Sequence, residues 1–252
     1  MAVSHPLVDM FRRPEVNRLS EFASVAAGIR TSDIGALYSV ELANAPKRHT
    51  RGKAYFSNGR TGHPRSGAAS NRSEEHLAIA LWSSFRTSGI PLPNGDKMVL
   101  VDYQVPLRAS RLDAGIGKMD LFGVVESASS SCSGKVCELK TLGCDTPLKA
   151  LLECLAYSAI AEANLADFSA ELGKSLKNLE CVVLAPVNYW HAFVTKKSAG
   201  NWAAEIKSLG KRLEADLGVK FSFLALENCK WSMGLKGTVP VLSSTPKVRD
   251  AL

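Results

Sequence analysis

The apolar positions change their period several times along the chain, and each change marks an element. From residue 73 to about 86, Leu77, Leu81 and Phe85 recur every four residues and predict a helix with one buried stripe. Ser73 is a candidate cap, and Glu74 and Glu75 in the first turn suit the positive end of the helix dipole. Residues 91–97, rich in Pro, Gly, Asn and Asp, interrupt the chain. Three strands are predicted next, at 98–107, 118–126 and 135–141, with a Ser-rich loop over 127–133 joining the last two. A second helix starts after Thr146, with Pro147 in the first helical position and Leu148, Leu151, Leu152, Leu155 and Ile160 on its buried face. A strand at 179–185 stops at Pro186. Trp202, Ile206, Leu209, Leu213 and Leu217 then mark an amphipathic helix ended by Gly218, and 219–226 reads as a further strand. The order α-β-β-β-α-β-α-β predicts an α/β fold, a mixed central sheet flanked by helices on both faces.

The first 72 residues read differently and are taken as an N-terminal extension to a domain at 73–252. Leu19, Phe22, Val25, Ala26 and Ile29 have partly helical spacing and predict one short helix. Segment 46–73 holds Lys47, Arg48, Arg51, Lys53, Arg60, Arg65 and Arg72 with no acid, among four glycines and two prolines. That composition predicts a loop or arm. It leaves two readings open, a solvated linker or an arm that contacts DNA phosphates and gains from counterion release.

Composition changes this picture little. The chain has 252 residues, 46% hydrophobic and 22% charged, as a soluble globular protein does. Its net charge of +7 equals the number of cations in segment 46–73 and suits a polyanionic partner without establishing one. No apolar run is long enough to span a membrane, and the start of the chain lacks a cationic flank before an apolar core. A cytoplasmic protein without a membrane partner is expected. The six cysteines form no C-x-x-C pair, and those in predicted strands and helices read as buried free thiols.

The chemistry concentrates in the second and third strands. Glu138 and Lys140 are two apart, so they share a face, while Cys137, Leu139 and Thr141 point the other way. Asp120 sits between apolar neighbours in Met119-Asp120-Leu121-Phe122-Gly123. If the two strands are adjacent, Asp120 and Glu138 converge, and two converging carboxylates repel unless a cation lies between them. Mg²⁺ prefers carboxylate and water oxygens and resolves that repulsion. Lys140 beside it could orient or help deprotonate an attacking water, or stabilise charge on a phosphate. A solvated, salt-bridged strand face is the plainer alternative, and the apolar flanking residues argue against it.

Asp120, an intervening loop, then Glu138-Leu139-Lys140 resembles the PD-(D/E)xK nuclease superfamily, with residues 73 to about 227 as a restriction-endonuclease-like core. The resemblance implies that Asp120 and Glu138 hold a divalent ion, Mg²⁺ with Mn²⁺ able to substitute, and that Lys140 serves the nucleophilic water. Two features are similar to the RecB-type exonuclease branch. Gly117-Lys118-Met119-Asp120 matches its G-x-x-D, and Glu153 to Tyr157 resembles its Q-x-x-x-Y with Glu153 in place of Gln. Glu153 and Tyr157 share a helical face and could line a DNA path, or form a Lys149–Glu153 surface pair beside a half-buried tyrosine. No cysteine precedes Cys132, so the iron–sulfur cluster of some RecB-type nucleases is not expected. Glu74 shares the inward face of Leu77 and Leu81 and is the preferred additional metal-site acid, with Glu75 in reserve.

Other candidates are weaker. Asp113 reads as a turn residue, and Tyr189, Trp190 and His191 could stack on bases or pack in the core. A metal-dependent nuclease acting on DNA is therefore the expectation. Alternatives are a non-catalytic nucleic-acid-binding module, a restriction-type endonuclease, or a subunit of a defence or mobile-element complex docked through residues 1–45. RNA as substrate, protein partners and a homo-oligomer stay open.

Overall fold

A computed structural model describes residues 3–57, 73–126, 132–143, 145–194, 201–232 and 238–252. Among the described residues, four α-helices come before residue 46, namely α1 (Pro6–Phe11), α2 (Pro14–Asn17), α3 (Phe22–Gly28) and α4 (Thr31–Ala43). Helix α5 (Ser73–Phe85) leads into a meander of β1 (Ile90–Pro91), β2 (Lys97–Pro106), β3 (Lys118–Glu126) and β4 (Cys132–Leu139), each antiparallel to the last. Strand β5 (Leu176–Pro186) runs parallel to β4, β6 (Lys220–Glu227) parallel to β5, and β7 (Lys247–Asp250) antiparallel to β6. The strands lie side by side in chain order. Parallel neighbours need a crossover rather than a tight turn. Helices α6 (Pro147–Glu162) and α7 (Leu165–Leu172) make the first crossover, and α8 (Val187–Val194) and α9 (Trp202–Leu217) the second.

Two apolar cores sandwich this mixed sheet. On one face Leu77, Leu81 and Phe85 of α5 pack with Leu100, Leu121, Leu139, Val182 and Leu224. On the other, α6 packs with Phe122, Val136 and Val183. Leu148, Leu151, Leu152, Leu155 and Ile160 of α6 are all 0% exposed. Burying one such side chain contributes roughly 1.5–3 kcal/mol. Ala150, Ala156, Ala159 and Ala161 are buried as well, so α6 is covered on every side. Its outer cover is α1 and α4, while α3 and α4 pack on α9. Leu7, Phe11, Phe22 and Ile34 thus belong to the same core as the sheet.

Several expectations need correction. The described part of the N-terminal segment forms four α-helices, not one, and Leu19 lies outside α3 at 37% exposure. Helices α7 and α8 and strands β1 and β7 were not anticipated, so the element order is richer than α-β-β-β-α-β-α-β. Strand β4 begins at Cys132, three residues earlier than the pattern suggested. The start of segment 46–73 is no free arm. Tyr55 is 0% exposed, and the backbone N–H groups of Tyr55 and Phe56 donate to the Glu171 carboxylate on α7. Further on, Ser57 N–H donates to Asp102 Oδ2 at 2.8 Å. Cys132, Cys137, Cys154 and Cys181 are buried free thiols, and Cys229 is partly buried. Cys144 lies outside the described residues. Among the described residues no helix is long and apolar enough to cross a membrane.

Candidate metal centre

Strand register brings the candidate acids together. Leu121 pairs with Cys137 in antiparallel register, so one step further sets Asp120 opposite Glu138. Tyr103 and Val105 pair with Leu121 and Met119, which sets Gln104 opposite Asp120 on its other side. Gln104, Asp120 and Glu138 therefore form a row across β2, β3 and β4. Lys140 lies just past β4, where its backbone N–H still donates to Leu184 O at 3.1 Å. Cys137 and Leu139 fall in the core under α5, as alternation requires, and the Glu138 and Lys140 side chains turn the other way toward α6.

Asp120, Lys140, Glu153 and Asp145 each have defined partners at the centre. Asp120 Oδ1 accepts from Gln104 Nε2 at 2.8 Å and Oδ2 from the Leu139 N–H at 2.9 Å. Lys140 Nζ donates to Glu138 Oε1 at 2.6 Å and to Glu153 Oε2 at 3.3 Å, with Asp145 Oδ2 at 3.6 Å. Tyr157 donates its hydroxyl to Glu153 Oε1 at 3.0 Å. Gly117 makes room for that hydroxyl, because a Cβ there would lie 2.3 Å from it. Sequence reasoning missed Asp145, which is held by Lys149 Nζ at 2.8 Å and by Asn17 Nδ2 of α2 at 2.8 Å. Asn17 Oδ1 in turn accepts from Thr146 N–H, at the start of α6, at 2.8 Å. The one signal for Asp145 was its place directly before the cap of α6, five residues after Lys140.

The centre holds more acidic groups than basic ones. Asp120, Glu138 and Lys140 are 8%, 4% and 2% exposed, so water screens little of it. Burial pushes the Asp120 carboxyl up to about 7, with the Glu74 and Glu153 charges adding to the rise and Lys140 and the Leu139 N–H opposing it. Burial, then the charges of Asp120 and Glu153, push the Glu138 carboxyl well above the carboxylate range. Burial works to lower the Lys140 ammonium, but Glu138, Glu153, Glu74 and Asp120 outweigh it and hold it well above its ordinary value. Carboxyls this reluctant to ionise accept either a proton or a metal cation.

The donor chemistry suits a hard divalent ion, since every candidate ligand is a carboxylate oxygen. Among the described residues no group of three or more His, Cys, Asp or Glu is placed to hold a metal jointly. The candidate donors nearest one another by register are Asp120 and Glu138, and Mg²⁺ commonly takes one or two carboxylates and keeps several waters. Glu74, at the start of α5, acts on Asp120 and Lys140 through its charge, and its Oε1 is buried without a hydrogen-bond partner among the described residues. That orphaned oxygen is an acceptor still to be satisfied. Glu75 is buried at 8% exposure.

Other predicted residues fall elsewhere. Glu153 pairs with Lys140, not Lys149, and its side chain is 16% exposed, while Tyr157 at 3% exposure is buried. Tyr189 and Trp190, at 1% and 3% exposure in α8, pack in the core and are not available to stack on bases, while His191 beside them is exposed. Asp113 serves its turn, accepting from the N–H groups of Ala109 and Ser110. Lys47 donates to Ala163 O, Arg48 to Ala54 O and Arg108 O, and Lys53 to Ala109 O, so these cations are engaged with backbone carbonyls. Arg51 is exposed, and Arg60, Arg65 and Arg72 lie outside the described residues. Comparison with protein-family models, with curated proteins and with solved structures found no match to this chain.

Proposed function

We propose that the protein is a metal-dependent nuclease of the PD-(D/E)xK type that hydrolyses DNA phosphodiester bonds. The observation that carries the reading is Asp120 held opposite Glu138, with Lys140 beside them and a surplus of buried carboxylates around it. The β2–β3–β4 meander followed by parallel β5 supports a restriction-endonuclease-like core. Asp120 and Glu138 would hold the ion, with Glu74 as a further acid. When bound, a hard divalent cation supplies Lewis-acid polarisation of the phosphodiester and neutralises charge in the transition state.

The chain's own residues do the rest. Gln104 and the Leu139 N–H fix the two oxygens of Asp120. Lys140 presents an ammonium to the developing charge on the phosphate, kept in place by Glu153 and Asp145. Tyr157 fixes Glu153 in turn. Exposed Arg51, and Arg60, Arg65 and Arg72 beyond it, supply phosphate contacts along the substrate.

The test is cleavage of linear and circular, single- and double-stranded DNA with Mg²⁺ or Mn²⁺, comparing the parent with Asp120→Ala and Lys140→Ala. Metal-dependent cutting lost in both variants supports the reading, and circular substrate separates endonuclease from exonuclease action. DNA that binds but is never cut favours a non-catalytic binding module, and cutting of RNA alone moves the substrate class.

A further inference from the structure

Gln104 combines two unusual features at one point. Its φ of +48° is left-handed, a region that non-glycine residues other than Asn, Asp and His seldom enter. Yet it lies inside β2, with paired residues on both sides. The kink has a structural effect, because Tyr103 packs in the core under α5 whereas Val105, two residues on, packs in the core under α6. Strand β3 changes face at the same level, between Leu121 and Met119. Glycine would make such a kink without strain. What glutamine adds is a side chain, and that side chain donates to Asp120 Oδ1 at 2.8 Å. A carboxamide does so without bringing a charge, so it orients the carboxylate and leaves its negative charge for a cation. Strained backbone persists where the surroundings fix it, and such positions cluster at functional sites.

We infer that Gln104 is a positioning residue for the metal centre, its kinked backbone spending strain to aim a neutral donor at Asp120 so that the carboxylate faces the cation shared with Glu138. This rests on the proposed metal-dependent reading. Partners that orient metal ligands from behind typically change affinity by about 10–100-fold when removed.

The experiment is Mn²⁺ binding by calorimetry, with thermal melting, on the full chain as the parent, Gln104→Gly and Gln104→Asn. Glycine relieves the left-handed strain, and asparagine tolerates that conformation but is one carbon too short to reach. The expected result is Mn²⁺ binding about 10-fold weaker or more in both variants, at a Tm equal to or above the parent's. Unchanged Mn²⁺ affinity in both variants overturns the inference and leaves the nuclease reading standing. Weaker binding accompanied by a matching fall in Tm also overturns it, since the side chain would then only hold the fold. A parent that takes up no Mn²⁺ overturns the metal-dependent reading and the inference with it.

Discussion

Strand β4 and the residue just past it carry two buried lysines that end in different surroundings. Lys135, near its start, pairs with Glu180 Oε2 at 2.6 Å, and the same carboxylate meets Lys220 Nζ at 3.8 Å and the Ser133 hydroxyl at 3.3 Å. Lys140, past its end, has three carboxylates within 4 Å, namely Glu138, Glu153 and Asp145, with Asp120 and Glu74 acting on it as well. The first cluster has two cations to one acid, and the second has five acids to Lys140 and Lys149. A buried ion pair alone is weak evidence of function or stability. The imbalance separates the two, because the first cluster has cations to spare for its acid and the second is short of them. If that contrast is right, removing an acid should have opposite effects at the two ends.

The largest effect is expected on cleavage at the acid-rich end. Asp120→Asn and Glu138→Gln keep the shape and remove a charge, and each should lower metal-dependent cleavage by at least about 10²–10³-fold. Relief of repulsion should leave the metal-free Tm unchanged or higher. Loss of activity with a lowered metal-free Tm would break the comparison, because the acids would then be structural.

The same surplus predicts an unusual pH dependence. Asp120 titrates at about 7 in the folded protein, above the ordinary carboxylate value of the unfolded chain. The folded state therefore binds more protons between these values, and stability falls as pH rises. Metal-free protein should be most stable below about pH 4 as far as this group is concerned, and should lose on the order of 4 kcal/mol by pH 7. A divalent ion prefers the ionised carboxylate, so added Mg²⁺ should stabilise more at pH 8 than at pH 5. Denaturant melts with and without Mg²⁺ across that range give both slopes, and parallel curves would remove the charge surplus from the argument.

At the other end, Glu180→Gln leaves Lys135 buried without its acid. A loss of about 3 kcal/mol is expected, with cleavage unchanged below the melting range. Denaturant titration reads the first and an assay at low temperature the second. A change in cleavage with no change in stability would mean that the Lys135 cluster belongs to the function.

Much of the frame was legible because it rests on local periodicity. The strand at 118–126 and the start of α6 at Pro147 follow from a short apolar-rich run and from a capping threonine before proline. Glu138 and Lys140 were readable together because side chains two apart on a strand share a face. Gln104 and Asp145 were not readable, because one depends on register across three strands and the other on a loop held by a distant helix. The N-terminal helices were underread for a related reason. Helix α4 shows no apolar stripe of its own, since Glu41 is buried against His5 and Tyr38 reaches Glu162. Its presence was nevertheless implied by α6, whose apolar residues run all the way round and need cover on both sides.

The smallest expected effect tests how the acid surplus is assembled. Asn17 of α2 joins the N-terminal helices to the centre, donating to Asp145 and accepting from the N–H of Thr146. Asn17→Ala removes both bonds, and hydrogen bonds of this kind contribute about 1 kcal/mol net each, less where water can replace them. A Tm lower by roughly 2–4 °C is expected, with a several-fold fall in cleavage as Asp145 leaves Lys140. The pair Asn17→Ala with Asp145→Ala should cost little more than Asp145→Ala alone, because the two act along one path. Additive losses in cleavage would instead show that α2 supports the fold without reaching the chemistry, and the acid surplus would then be a property of the sheet and α6 alone.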